Sequence, residues 1–335
     1  MPRPNHIVLL LILVVVVCTS AAHSDEWRTL LNLKGTWKIE LGDNPRWAET
    51  GFDDSRWDDI NVPGPWEDEG FPGYDGFAWY RKHFTVDQSL RSAIVYLPVG
   101  YVDAVSEVYL NGHMVGFAGK FPQAVHEADL VYEKFPVPQE YLSYNGDNVV
   151  AVRVFDVRIS GGITRGRVGL YEPRDYLKPD YNLAGTWKFT AGDDPSWKDA
   201  TTNDSKWNDA VVPAYWETVP GLRDYDGSGW YRLKFSVPEN LTGQRLILLL
   251  GKIDDVDETY LNGELIGKTG LIREKMERSD FSQEWLQLRA YVIPSDLLIP
   301  NRENVLAVRV YDIFMHGGIY DGPVGLITRD KYRKW

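Results

Sequence analysis

Two short strings in this 335-residue chain set an aromatic ring beside a carboxylate behind a proline: Val62-Pro63-x-x-Trp66-Glu67 and Val212-Pro213-x-x-Trp216-Glu217. An aromatic ring can stack on the apolar face of a sugar while carboxylates and amides bond its hydroxyls. A Trp next to a Glu on a rigid loop has that chemistry. The same pair would equally cap the end of a fold, with the Trp buried over a core and the Glu accepting from loop amides. Tyr74-Asp75-Gly76 and Tyr225-Asp226-Gly227 repeat the aromatic–carboxylate theme. They are candidate ligand contacts and, because Asp-Gly tolerates tight turns, also ordinary turn sequences. The candidate binding residues are therefore Trp66, Glu67, Tyr74, Asp75, Trp216, Glu217, Tyr225 and Asp226.

No catalytic residue can be assigned. Asp103 and Glu107, like Asp254 and Glu258, are four residues apart on what reads as one strand face. That spacing separates them by roughly 13 Å, whereas a glycosidase acid–base pair needs about 5–9.5 Å. Salt bridges or turn caps fit them better. Asp156 and Asp312 precede the glycine pairs Gly161-Gly162 and Gly317-Gly318 and are expected to accept from loop amides. His126-Glu127 lacks the second histidine of a His-Glu-x-x-His zinc site, and no Gly-x-Ser-x-Gly or phosphate-cradling glycine loop occurs.

The elements that would position these residues come twice. Gly35-Thr36-Trp37-Lys38 returns as Gly185-Thr186-Trp187-Lys188, and Trp79-Tyr80-Arg81 as Trp230-Tyr231-Arg232. Tyr109-Leu110-Asn111-Gly112 returns as Tyr260-Leu261-Asn262-Gly263, and the run 148–156 as 304–312. The offset grows only from 150 to 151 to 156, so small loop changes align the halves. A period this long means two copies of one domain. The expected division is a leader over 1–22, a first β-sandwich over 25–175 and a second over 180–335. The short charged connection, Glu172 to Asp180, implies that the copies pack together.

Strand periodicity dominates both copies, and Asn-Gly between strand-like runs predicts tight hairpins, Ala104–Leu110 with Met114–Phe117 and Val256–Leu261 with Leu265–Gly267. Phe281 to Leu288 is at best one short helix. In the Trp-Tyr-Arg strands, Tyr80 and Phe84 (Tyr231 and Phe235) are expected to face the core. Trp79 and Arg81 (Trp230 and Arg232) share the opposite face, where Arg can stack on a ring. Trp37, Trp187, Trp57 and Trp207 read as packing residues. The fold class is all-β: two tandem antiparallel jelly-roll sandwiches.

The ordered set Asp-x-x-Trp-x-x-x-x-Val-Pro-x-x-Trp-Glu, Trp-Tyr-Arg, Tyr-Leu-Asn-Gly, Asn-x-x-Ala-Val-Arg-Val-x-Asp and Gly-Gly-Ile resembles the sugar-binding jelly roll of family 2 glycoside hydrolases. That domain lies within the galactose-binding-like fold. The second copy, with its run from Leu250 to Glu258 and Gly317-Gly318-Ile319, also resembles the accessory β-domain of sialate O-acetylesterases. In those enzymes the catalytic groups lie on a separate domain, which the two copies leave no residues to build. The resemblance thus implies an accessory role: a non-catalytic carbohydrate-binding protein serving glycan breakdown, with a neutral glycan as partner and a separate hydrolase beside it. Two alternatives stay open, a glycosidase or acetylesterase with an unrecognised site and a scaffold that binds no sugar. Galactose-binding-like domains often hold a structural calcium. The acidic loops Asp43 to Asp54 and Asp193 to Asp204 could supply its oxygens, though they match no defined calcium loop.

Composition bounds the rest. Arg3, the apolar run Ile7 to Val17 and Ser20-Ala21-Ala22 read as a secretory signal cleaved after Ala22, too short for a comfortable membrane span. A lipoprotein anchor on Cys18 competes poorly, because Val17 stands where a small residue is expected. Either reading places the mature chain outside the cytoplasm, secreted or periplasmic. Cys18 is the only cysteine, so core burial rather than disulfides must hold the mature chain. A net charge of −12 disfavours a nucleic-acid partner or an anionic membrane surface.

Overall fold

The computed structural model describes residues 26–335 except 104, 120, 122–130, 158–159, 274 and 278–280. The expected leader, Cys18 and His126-Glu127 lie outside the described residues. The first copy supplies ten strands: β1 (Trp27–Asn32), β2 (Gly35–Leu41), β3 (Asp58–Val62), β4 (Gly76–Thr85), β5 (Tyr96–Asp103), β6 (Val105–Leu110), β7 (His113–Ala118), β8 (Val131–Pro136), β9 (Asp147–Asp156) and β10 (Gly162–Pro173). The second supplies β11 (Tyr181–Asn182), β12 (Gly185–Ala191), β13 (Asn208–Val212), β14 (Gly227–Ser236), β15 (Leu246–Asp254), β16 (Val256–Leu261), β17 (Glu264–Thr269), β18 (Arg289–Val292), β19 (Glu303–Asp312) and β20 (Gly318–Thr328).

Each copy is a sandwich of a six-stranded and a four-stranded sheet. The orders are β3-β2-β4-β9-β6-β7 over β1-β10-β5-β8, and β13-β12-β14-β19-β16-β17 over β11-β20-β15-β18. The ladders within these sheets are antiparallel. Asn111 and Asn262 take φ 51° at the predicted hairpins and are followed by positive-φ glycines, the geometry a two-residue Asn-Gly turn needs. Their side chains also tie the turn to its neighbour strand, each donating to Asn148 or Asn304 and accepting from the amide of Val149 or Val305. Phe281 to Leu288 contains only a 3₁₀ turn, Glu284–Leu286.

Alternation sends one side of each large sheet into the core. Trp37, Tyr80, Val152 and Val154 pack with Leu97, Val99, Val168 and Leu170, and the second copy repeats this with Trp187, Tyr231, Val308 and Val310. Trp37 and Trp187 are each 1% exposed, their indole N–H groups donating to Leu33 and Leu183 carbonyls at 2.8 Å. Trp57 is buried and Trp207 half-buried.

The other face of the large sheet is covered as well, which strand alternation does not predict. Loop 42–57 folds over it and buries Trp79 beside Trp57, Ala48 and Ala151. Arg81 is fully buried there, paired with Asp54 at 2.7 Å and donating to the carbonyls of Trp47, Glu49 and Phe52. Arg232 repeats the arrangement with Asp204, Trp197, Asp199 and Thr202. A buried guanidinium is tolerated only when its donors are taken up this way. It approaches Phe52 and Trp57 rather than stacking on Trp79.

The copies meet directly. Tyr96 donates to Asp321 at 2.6 Å, Lys178 to the Ser92 carbonyl at 3.0 Å, and Thr186 bonds Glu140. The Arg223 guanidinium lies 3.8 Å over the Phe117 ring and 3.5 Å from Glu107.

Candidate functional site

The structure brings the Trp-Glu loop, the Tyr-Asp-Gly turn and the glycine-pair loop of each copy to one end of its sandwich. It does so by burying the tryptophans. Trp66 is 0% and Trp216 1% exposed, so neither offers a ring face to a sugar, contrary to the stacking role their sequence context allowed. Gly161 and Gly317 explain why: a Cβ there would lie 2.1 or 2.2 Å from the indole of Trp66 or Trp216, so only glycine lets the loop close over the ring. Glu67 accepts the Gly161 amide at 3.1 Å and Glu217 the Gly317 amide at 3.0 Å. The pair works as a loop clamp. Tyr74 and Tyr225 pack edge-on against those tryptophans and donate to the carbonyls of Phe77 and Ser228. Asp75 and Asp226 are exposed on the turns.

Glu107 and Glu258 form ion pairs, with Arg153 at 3.1 Å and Arg309 at 3.0 Å. The same arginines reach Asp43 and Asp193, both at 2.5 Å. Asp54 and Asp204 are committed to Arg81 and Arg232. The carboxylates at both ends of the acidic loops are thus held by guanidinium groups. Asp103 and Asp254 end strands β5 and β15, so they do not share one strand with Glu107 and Glu258 on β6 and β16.

Two features escaped sequence reasoning. The first is an acidic cluster in the second copy, where carboxylate oxygens of Asp254, Asp255 and Asp312 lie within 4.8 Å of one another. Asp312 is fully buried, with Oδ1 accepting from the Phe314 amide. Burial, then repulsion from Asp255 and Asp226, pushes it up to about 8. Burial raises Asp254 too, reinforced by a hydrogen bond and repulsion from Asp255. Burial pushes Glu217 up to about 9. The adjacent acids Asp254-Asp255 were a visible signal, but the partners come from other strands and loops.

The second is a groove of about 670 Å³ between the copies. Tyr109, His113 and Tyr141 line it from the first copy, and Thr186, Asp209, the 217–221 segment and Arg223 from the second. His113 stacks on Tyr141 at 4.1 Å between ring centroids, and Tyr109 donates to Glu107 at 2.8 Å. Asp209 is exposed and paired with Lys188 at 2.6 Å. Three aromatic rings, two ion-paired carboxylates and a guanidinium therefore line one cleft. Among the described residues no helix is long and apolar enough to cross a membrane.

One family model agrees with the all-β class of the first copy. Residues 42–157 match the family model of the beta-galactosidase second all-beta domain. A putative beta-glucuronidase of Formosa agariphila is 32% identical over 126 residues, covering 34% of this chain and 12% of that protein. Beta-galactosidase BoGH2A of Bacteroides ovatus is 31% identical over 132 residues, covering 35% of this chain and 14% of its own length. The chain thus spans only a small part of the curated relatives it matches. A solved beta-glucuronidase from glycoside hydrolase family 2 aligns at 16% identity with a TM-score of 0.38, over 87% of this chain and 27% of its own. The chain is a tandem of all-β sandwiches whose first copy is similar in sequence to the galactose-binding-like accessory β-domains of family 2 glycoside hydrolases.

Proposed function

We propose that this chain is a carbohydrate-recognition module, and that the recognition surface is the groove between the two copies. The observation that carries the reading is the composition of that groove: the rings of Tyr109, His113 and Tyr141 beside the acceptors Glu107 and Asp209 and the donor Arg223. Aromatic faces take the apolar side of a pyranose, and carboxylates and a guanidinium take its hydroxyls. The relatives matched by sequence carry the names of enzymes acting on β-galactosides and β-glucuronides, which supports a glycan as the ligand. The buried tryptophans cannot serve, so the groove replaces the loop end as the proposed surface. Asp75 and Asp226 stay accessible there as secondary candidates.

The test is a glycan array and polysaccharide affinity gel on the protein, with Tyr141→Ala and Asp209→Ala beside it. Loss of binding in either variant, with an unchanged near-UV circular dichroism spectrum, supports the reading. Binding untouched by both substitutions removes the groove. No binding to neutral or acidic glycans removes carbohydrate recognition and favours a bracing role for the sandwiches.

A further inference from the structure

We infer that the second copy holds a hard divalent cation, of the calcium class, between Asp254, Asp255 and Asp312, and that the first copy does not. This inference stands apart from the glycan reading and does not depend on it.

Three carboxylates from β15, the β15–β16 junction and the end of β19 converge within 4.8 Å. Such a cluster on a surface would mean little, since water would screen it. Here Asp312 is 0% and Glu217 3% exposed, and one oxygen of each, Asp312 Oδ2 and Glu217 Oε2, is buried with no hydrogen-bond partner. Glu217 stands outside the three-carboxylate cluster, on the loop after β13, with Oε1 fixed by the Gly317 amide.

Buried carboxylate oxygens are nearly always satisfied, by donors, by protons or by a metal. The nearby guanidinium cannot serve as that partner. Arg289 spends Nε on Asp257, both Nη1 donors on the carbonyls of Glu284 and Gln287, and Nη2 on the carbonyl of Asp255. An all-oxygen set with no His or Cys selects calcium or magnesium over zinc or copper, and several carboxylates arranged irregularly suit the larger, more flexible calcium sphere.

The repeat provides an internal control. By register Asp254 pairs with Gly318 as Asp103 pairs with Gly162, and Val256 faces Tyr311 as Val105 faces Phe155. Glu67, Asp103 and Asp156 thus correspond to Glu217, Asp254 and Asp312, but the sequence has Ala104 where the second copy has Asp255. Glu67 is also only half-buried, against the fully buried Glu217. One carboxylate separates a complete set from an incomplete one.

The experiment is calorimetric titration of the chelator-treated full chain with calcium and, separately, magnesium. Thermal melts and terbium luminescence excited through the aromatic residues accompany it. The expected result is one calcium per chain, a Tm that keeps rising with calcium concentration, and sensitised terbium emission. Asp255→Ala, which writes the first copy's residue into the second, should weaken calcium by at least about 10-fold. Asp255→Asn tests the same point with minimal change of shape. Ala104 needs no alteration, because a single site per chain already reports on the first copy. Absence of heat, Tm shift and terbium emission would overturn the inference and leave a proton-sharing cluster. So would calcium binding that both Asp255 variants retain, or two equivalent sites per chain.

Discussion

The two copies use one frame and load it differently. In the first, Val108 of β6 and Phe135 of β8 are buried, and the buried Ser106 stands where the second copy has a carboxylate. In the second, the corresponding positions are Thr259, Tyr291 and Asp257. Asp257 is fully buried, bonded by Arg289 at 3.0 Å, Tyr291 and Thr259. Burial raises the Asp257 carboxyl against the pull of Arg289. A few positions from this network the second copy also carries the Asp255 that the first lacks. What is repeated, such as the tryptophans, the buried Arg81 and Arg232 and the Asn-Gly hairpins, holds the sandwich. What is unrepeated is where one copy departs in chemistry.

The comparison can be broken most forcefully at the shared residues. Trp66→Ala and Trp216→Ala each empty a sealed site and should cost about 3–5 kcal/mol. Urea unfolding followed by tryptophan fluorescence should give similar losses in both; a small loss in either would mean that its loop end is not the closed cap seen here. Next comes a difference between the copies. Asp257→Ala strands the Arg289 charge in the core and should cost about 3–5 kcal/mol, whereas Ser106→Ala should cost no more than about 1 kcal/mol. Comparable values from denaturant titrations would erase the proposed contrast. Gly161→Ala and Gly317→Ala force a methyl into an indole and should each lose about 1–3 kcal/mol, read as a fall in Tm.

The smallest effect is in acid. Burial alone would raise Asp43, but the hydrogen bonds from Arg153 and Trp79 outweigh it and hold this carboxyl below its ordinary 3.8. A depressed native pKa contributes stability that is complete above the unfolded value and fades as pH falls through the native one. Asp43→Asn should therefore lower Tm near neutrality and flatten the melting profile below about pH 4. A parallel shift of the whole profile would show that the aspartate acts by shape rather than by charge.

Much of the fold was legible. The repeat announced two sandwiches, Asn-Gly marked both hairpins, and alternation gave the core face of β4 and β14. The reading of their opposite face was incomplete, because loop 42–57 and its counterpart cover it, and strand periodicity says nothing about a loop's destination. Of the candidate site, the sequence named the loops that come together, but it could not tell an exposed Trp from a buried one. A methyl's absence at Gly161 or Gly317, about a hundred residues away, decides that.

The sequence by itself determined the duplication, the strand pattern and the positions that both copies need, because these depend on local periodicity and turn chemistry. Tertiary structure alone decided that Trp66 and Trp216 are sealed, that Tyr141 and Asp209 line one cleft, and that Asp254, Asp255 and Asp312 meet. Burial and charge proximity are set by contacts between segments far apart in the chain, and no spacing within a single strand encodes them.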